Sequence, residues 1–141
     1  MKKPKRILVG FKDLEHTVEL ADMACRLGAR GTALILVHVI ELPDNTPLDA
    51  EVADLDAIGK KILRTAERIA KGCKMKFTSR LLRAHSAGAA LLDELKQQKC
   101  DLAVLGYHHG RTLGEVFLGT TATHLANHAP CHVLLSIPPR K

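Results

Sequence analysis

Thr32-Ala33-Leu34-Ile35-Leu36-Val37-His38-Val39-Ile40 is apolar at almost every position. Successive residues of a strand face opposite sides of a sheet, so a run apolar in both registers belongs at the centre of a parallel sheet covered on both faces. His38 interrupts the run, and a histidine in that setting is expected to be a hydrogen-bonded core residue rather than a ligand. Towards the N-terminus, Gly28 and Gly31 close a helix that Asp13 is expected to cap and that runs to Arg26 or Leu27, with Leu14, Val18, Ala21 and Cys25 as its inward stripe. Ahead of it, Arg6 to Phe11 reads as another strand buried on both faces.

In the other direction, Glu41 to Leu48 holds Pro43, Asp44, Asn45 and Pro47 and reads as a loop. Asp49 to Lys71 is an amphipathic helix with Val52, Leu55, Ile58, Ile62, Ala66 and Ile69 inward, stopped by Gly72. Lys74 to Arg83 alternates apolar residues with charges imperfectly, as suits a strand at a sheet edge. Ser86 is placed to cap a helix from Ala87 to Gln98, with Leu91, Leu92 and Leu95 inward. Asp101–Gly106 and Val133–Ile137 are the last two strands, on either side of a helix from Thr120 to His128 that Pro130 keeps from continuing. Five strands alternating with four helices imply crossover connections, hence an α/β, doubly wound parallel sheet in one domain covering residues 1–141.

The 141 residues are 46% hydrophobic and 26% charged, with a formal net charge of +6. Such a composition is globular, and no stretch is apolar over the length that crosses a bilayer, so membrane insertion is not expected. The basic start Met1-Lys2-Lys3-Pro4-Lys5-Arg6 runs straight into a strand, and the expected location is cytoplasmic. The positive balance suits an anionic partner. With one Tyr, three Phe and no Trp there is little for stacking bases, which argues against nucleic acid. Cys25, Cys73, Cys100 and Cys131 are far apart in the chain and form no Cys-x-x-Cys motif, so most read as small buried hydrophobes. His124, His128 and His132 have a spacing that can chelate, but no carboxylate or thiolate accompanies them, so surface histidines and no metal are expected. No Ser-His-Asp or Cys-His constellation is evident either.

The chemistry concentrates in Val104-Leu105-Gly106-Tyr107-His108-His109-Gly110-Arg111-Thr112-Leu113-Gly114-Glu115-Val116-Phe117-Leu118-Gly119-Thr120-Thr121. An apolar strand opens into a glycine-punctuated loop and closes at a helix start, where free N–H groups and a partial positive charge suit a phosphate. The spacing is neither that of a P-loop nor Gly-x-Gly-x-x-Gly, and a tight turn needing glycine for its own geometry is the alternative.

From Ala103 onward, through Gly119-Thr120 and the tail Asn127-His128-Ala129-Pro130-Cys131-His132-Val133-Leu134-Leu135, the sequence resembles the C-terminal half of a universal stress protein. ATP-binding members carry Gly-x2-Gly-x9-Gly-Ser/Thr, and the twelve residues between Gly106 and Gly119 match that total. The middle glycine is displaced: its position is taken by His109, with Gly110 one residue late. The family's aspartate after the first strand corresponds here to Lys12, with Asp13 adjacent. The resemblance implies the flavodoxin-like strand order 3-2-1-4-5, in which Gly10, Phe11 and Lys12 face Gly106 to Arg111 across the point where the order reverses.

It further implies an adenine nucleotide (ATP or AMP, with Mg²⁺ only alongside it) held by Gly106, His108, His109, Gly110, Arg111, Gly119, Thr120 and Thr121, with Val39 and Ile40 near the base. A homodimer through Val133, Leu134 and Leu135, a regulatory output read by a protein partner, and at most slow ATP hydrolysis are implied as well. The competing reading is a domain of the same fold that has lost the nucleotide and acts as an interaction and dimerisation module, which Lys12 and the displaced glycine favour. A flavodoxin-like electron carrier would need aromatic flanks that a single tyrosine does not supply.

Overall fold

In the computed structural model, which describes residues 2–106 and 119–139, strand β1 (Arg6–Phe11) is followed by helix α1 (Thr17–Leu27) and β2 (Ala33–Glu41). Helix α2 (Ala53–Gly72), β3 (Lys76–Ala84), α3 (Ala87–Gln97), β4 (Leu102–Gly106), α4 (Gly119–His128) and β5 (His132–Ser136) complete the order. The five strands pair in parallel as β3-β2-β1-β4-β5, the order expected from the sequence. β2 is central in burial: Leu34 and Leu36 join Ile7, Val9, Leu102 and Val104 under α1 and α2, while Ile35 and Val37 join Leu8, Ala103 and Leu105 under α3 and α4. Burying each such side chain contributes roughly 1.5–3 kcal/mol. β3 lies at one edge with Lys76, Thr78 and Arg80 exposed, as its broken alternation suggests.

Two helices are turned relative to expectation. The Asp13 carboxylate does not cap α1; it accepts from the His16 backbone N–H at 2.9 Å, making a turn over residues 14–16, and the Thr17 hydroxyl then donates to the Asp13 carbonyl. The helix starts at Thr17, and Thr17, Leu20, Ala21 and Ala24 face the sheet, leaving Val18 48% exposed. α2 begins at Ala53, and its first fully buried residue is Gly59, pressed so near β2 and β3 that an added Cβ would lie 2.7 Å from a Leu81 methyl and 3.0 Å from the His38 ring. The helix meets the sheet from Gly59 onward, so Ile62 and Ala66 are buried as expected while Leu55 and Ile58 (50% exposed) are not. α3 follows its sequence, with Ser86 Oγ accepting from Ala89 N–H at 3.2 Å. Among the described residues no helix is long and apolar enough to cross a membrane.

At the opposite end of the sheet from the strand termini that matter below, Asp101 joins β1 to β4 by accepting from the Lys5 and Arg6 backbone N–H groups at 2.9 and 3.0 Å. Partial burial on its own would raise the carboxyl pKa, but these two donors outweigh it and hold the group below its ordinary 3.8. A carboxylate so depressed contributes stability that is complete above the unfolded-state value and drains away as pH falls through the lower folded value. Asp101→Asn is therefore expected to melt lower than the parent protein near pH 7, with the two melting temperatures converging as the pH drops below about 3.8. A difference that stays constant from pH 7 to pH 2 in thermal denaturation would refute the ionic origin of this tie.

Candidate functional site

The order of the sheet reverses between β1 and β4, whose chains leave for opposite faces, α1 joining α2 on one side and α4 joining α3 on the other. Beyond the carboxyl ends of these strands such a reversal leaves a crevice. Its floor is close-packed: a Cβ at Gly10 would lie 2.9 Å from a Leu105 methyl and 3.4 Å from Leu91. Phe11 is buried, so its side chain belongs to the core and only its backbone borders the crevice. The Phe11 carbonyl accepts a hydrogen bond from His38 Nδ1 at 2.8 Å, which fixes the proton on that nitrogen because a carbonyl can only accept. His38 is thus a satisfied core residue, as anticipated.

The pairing of β2 ends unevenly on its two sides. Its register with β1 stops at Phe11 opposite His38, whereas its register with β3 continues through Val39–Leu82, Ile40–Arg83 and Glu41–Ala84. Over Val39, Ile40 and Glu41 the backbone edge facing the crevice runs past the end of β1 pairing. The Val39 and Ile40 side chains pack away from it, Val39 against the α3/α4-side core and Ile40 fully buried. What these two residues offer the crevice is main chain, a pattern of N–H and C=O groups along one edge.

The segment after β2 is held in place by groups the sequence did not single out. Arg83 donates to the carbonyls of Leu48 and Ala50 and to the Asp56 carboxylate. Leu42 N–H donates to Ala84 O, and His85 Nδ1 donates to Leu42 O at 3.2 Å. The Glu41 carboxylate accepts from Ala87 N–H at the start of α3. Each link spans 27 to 46 residues of chain, so no local pattern could have announced it.

On the β1 side, Lys12 is exposed at the strand end, while the Asp13 carboxylate is engaged with the His16 backbone and lies 2.9 Å from its Nδ1. The aspartate one place along thus takes part in the turn before α1. On the β4 side, Gly106 is exposed, and α4 begins at Gly119 with φ +80°, the left-handed region that favours glycine. Thr120 is exposed and Thr121 half-buried in the first turn of that helix. His108, His109, Gly110 and Arg111 lie outside the described residues. The structure therefore brings Gly10, Phe11, Lys12, Val39, Ile40 and Gly106 to one end of the sheet, where binding groups are mostly backbone.

Elsewhere, the His124 and His128 rings lie with centroids 4.7 Å apart on α4, and no group of three metal-ligating side chains occurs among the described residues. Of the residues expected at a dimer interface, Val133 and Leu135 are half-buried against the α3/α4-side core, and Leu134 is 42% exposed on the other face of edge strand β5, with Ile137 (41%) just beyond.

Comparison with known proteins accords with this geometry. The sequence model of the universal stress protein family matches residues 3–136. A Thermus aquaticus relative, described as the universal stress protein in the QAH/OAS sulfhydrylase 3′ region, is 28% identical over 136 residues, spanning 93% of this chain and 97% of its own. The crystal structure of a universal stress protein in complex with cAMP superposes with a TM-score of 0.73 at 20% identity, over 96% of this chain and 98% of that one. An Arabidopsis thaliana member of the same family, with AMP bound, superposes with a TM-score of 0.67 at 15% identity, over 96% and 93% of the two chains.

Proposed function

The chain belongs to the universal stress protein family, and on that premise we propose that it is a regulatory protein that binds an adenine nucleotide at the β1/β4 crevice and acts as a nucleotide-sensitive homodimer. The observation that carries this reading is the overhang of β2. Residues Val39 to Glu41 present backbone groups past the end of β1, beside a crevice whose other bank holds Gly106 and leads to the left-handed Gly119. A main-chain edge can match the donor and acceptor pattern of adenine, and the N–H groups at the start of α4 suit a phosphate. Relatives of the same fold are described as complexes with cAMP and AMP, which supports an adenine nucleotide as the ligand class.

The described residues of the crevice supply binding groups, and on this reading the output is occupancy, with at most slow hydrolysis of ATP and with Mg²⁺ entering only alongside the nucleotide. Leu134 and Ile137 at the open edge of β5 are the apolar surface through which two copies would pair, and a further protein would read the result. The place of action is the cytoplasm. A second reading, an interaction and dimerisation module without nucleotide, is favoured specifically by Lys12 in place of the family's aspartate and by the displaced middle glycine.

The two readings separate on one experiment. Protein purified without added nucleotide is denatured, its supernatant analysed by ion-pair chromatography, and the intact protein titrated calorimetrically with AMP, ATP and cAMP. Co-purified adenine nucleotide, or a dissociation constant in the micromolar range for one of the three, is expected. An empty supernatant with no heat at millimolar ligand would transfer the function to the β5 surface. Light scattering of the same preparation tests the dimer, and a monomer at micromolar concentration would remove that part of the proposal.

A further inference from the structure

All four cysteines are free, and the fold gathers them into two neighbourhoods. Cys100 and Cys131 precede β4 and β5, which pair from Leu102 opposite His132, and Cys100 is buried. Cys25 and Cys73 lie on the other layer, one on α1 and the other directly after α2. Cys73 is exposed, and its backbone N–H donates to Ile69 O at 3.0 Å to close the helix. Cys25 is half-buried and packs on the same core as Ile69 and Met75. Gly28, three residues past Cys25, is so near Met75 that an added Cβ would lie 2.7 Å from its methyl carbon. The end of α1 and the segment 73–75 are thus in direct contact, and Cys73 lies close enough to Cys25 to act on its thiol.

We propose that Cys25 and Cys73 form a hydroperoxide-reactive dithiol that closes to a reversible intramolecular disulfide joining α1 to the end of α2. Burial first, and then the contact with Cys73, push the Cys25 thiol up to about 12, so it stays protonated at neutral pH. The first attack falls to Cys73, the member of the pair that a peroxide can reach from solvent. Its thiolate sulfur attacks one peroxide oxygen; an S–O bond forms, the O–O bond breaks, and hydroxide leaves, so that Cys73 becomes a sulfenic acid as the peroxide is reduced. The Cys25 sulfur then attacks the Cys73 sulfur; the S–S bond forms, the S–O bond breaks, and the Cys25 proton departs with the oxygen as water. Overall, two thiols and one hydroperoxide give one disulfide, water and, from hydrogen peroxide, a second water. A thiol as a class of reductant reverses the bond by exchange.

The test is oxidation of the full-length protein with stoichiometric hydrogen peroxide, trapping of residual thiols with iodoacetamide, and peptide mass spectrometry without reduction. The expected product is a Cys25–Cys73 linked peptide pair from a species that still runs as a single chain on a denaturing non-reducing gel, lost on treatment with dithiothreitol. Because the bridge ties together distant parts of the unfolded chain, the oxidised protein should melt higher by about 5–15 °C. Cys73→Ser, at an exposed position, should abolish both the linked pair and the rise in melting temperature. Cys25→Ala should let Cys73 run on to the sulfinic acid or couple to a second chain. The proposal is overturned if Cys73 of the unmutated protein goes to sulfinic acid or to an intermolecular disulfide in preference to Cys25, or if both thiols survive peroxide and are alkylated in full.

Discussion

Gly119→Val is expected to weaken AMP binding at least about tenfold while leaving the fold intact. Gly119 opens α4 with φ +80°, yet among the described residues nothing lies within 4 Å of where its Cβ would be. Against the described residues the substitution meets no clash, and the cost that follows from the φ is conformational. An L-residue held in that region costs about 1–3 kcal/mol, and a β-branched one sits at the upper end. The chain can shed that strain by turning the first peptide of the helix, which re-aims the N–H groups of Thr120 and Thr121 that would meet a phosphate. Since about 1.4 kcal/mol is a factor of ten in affinity, strain retained or amides misdirected both register in a titration. Gly119→Asn is the matched control, because asparagine enters the left-handed region more readily than valine and should recover part of the binding. Circular dichroism would confirm that both variants fold. If the valine variant bound AMP as tightly as the parent protein, the start of α4 would not be the phosphate site.

The largest loss of stability is expected at Leu36→Ala. Leu36 is fully buried in the middle of β2, with neighbours from both adjoining strands, opposite Val9 on β1 and Ser79 on β3, and it packs beneath α1 and α2. Truncation removes the transfer free energy of three carbons and leaves a cavity that close-packed surroundings cannot collapse, together about 3–5 kcal/mol. That is a large share of the roughly 5–15 kcal/mol that holds a domain folded, and it should lower the melting temperature by about 10–15 °C. Urea denaturation should show a lower midpoint with an unchanged slope. A midpoint shift equivalent to less than about 1 kcal/mol would mean that β2 is not the packing centre described here. In the same assay Val18→Ala, on the face of α1 that the sequence suggested was inward, should change little, since that side chain is half exposed.

That contrast shows where sequence was sufficient. β2 was legible because a strand covered on both faces must be apolar at every position, and no partner has to be known to read it. The phase of α1 was not, because it depends on whether the Asp13 carboxylate caps the helix or a preceding turn, and it accepts from the turn's His16 N–H. In α2 the apolar stripe correctly gave Ile62 and Ala66, but the point where the helix touches the sheet is set by the missing side chain of Gly59 against Leu81 and His38. The candidate site divides similarly. Gly106, Gly119 and the end of β1 could be named from motif spacing. The overhang of β2 could not, since it depends on two registers that stop at different places, and the ties made by Arg83, Glu41 and His85 connect segments with no sequence relation.

The two margins of the sheet are chemically unlike: β3 carries Lys76, Thr78 and Arg80 outward, and β5 carries Leu134 with Ile137 just beyond it. If two copies pair through β5 as proposed, the domain is, in the language of polymer growth, a monomer with a valence of one. A unit with a single adhesive end can be consumed in pairing but cannot extend a chain, whatever its concentration, because the far margin of each such pair would carry the exposed polar Lys76, Thr78 and Arg80 in place of apolar surface. Adding sticky surface to β3, for example by making Lys76 and Arg80 apolar, would raise that valence to two and turn a terminating association into a propagating one.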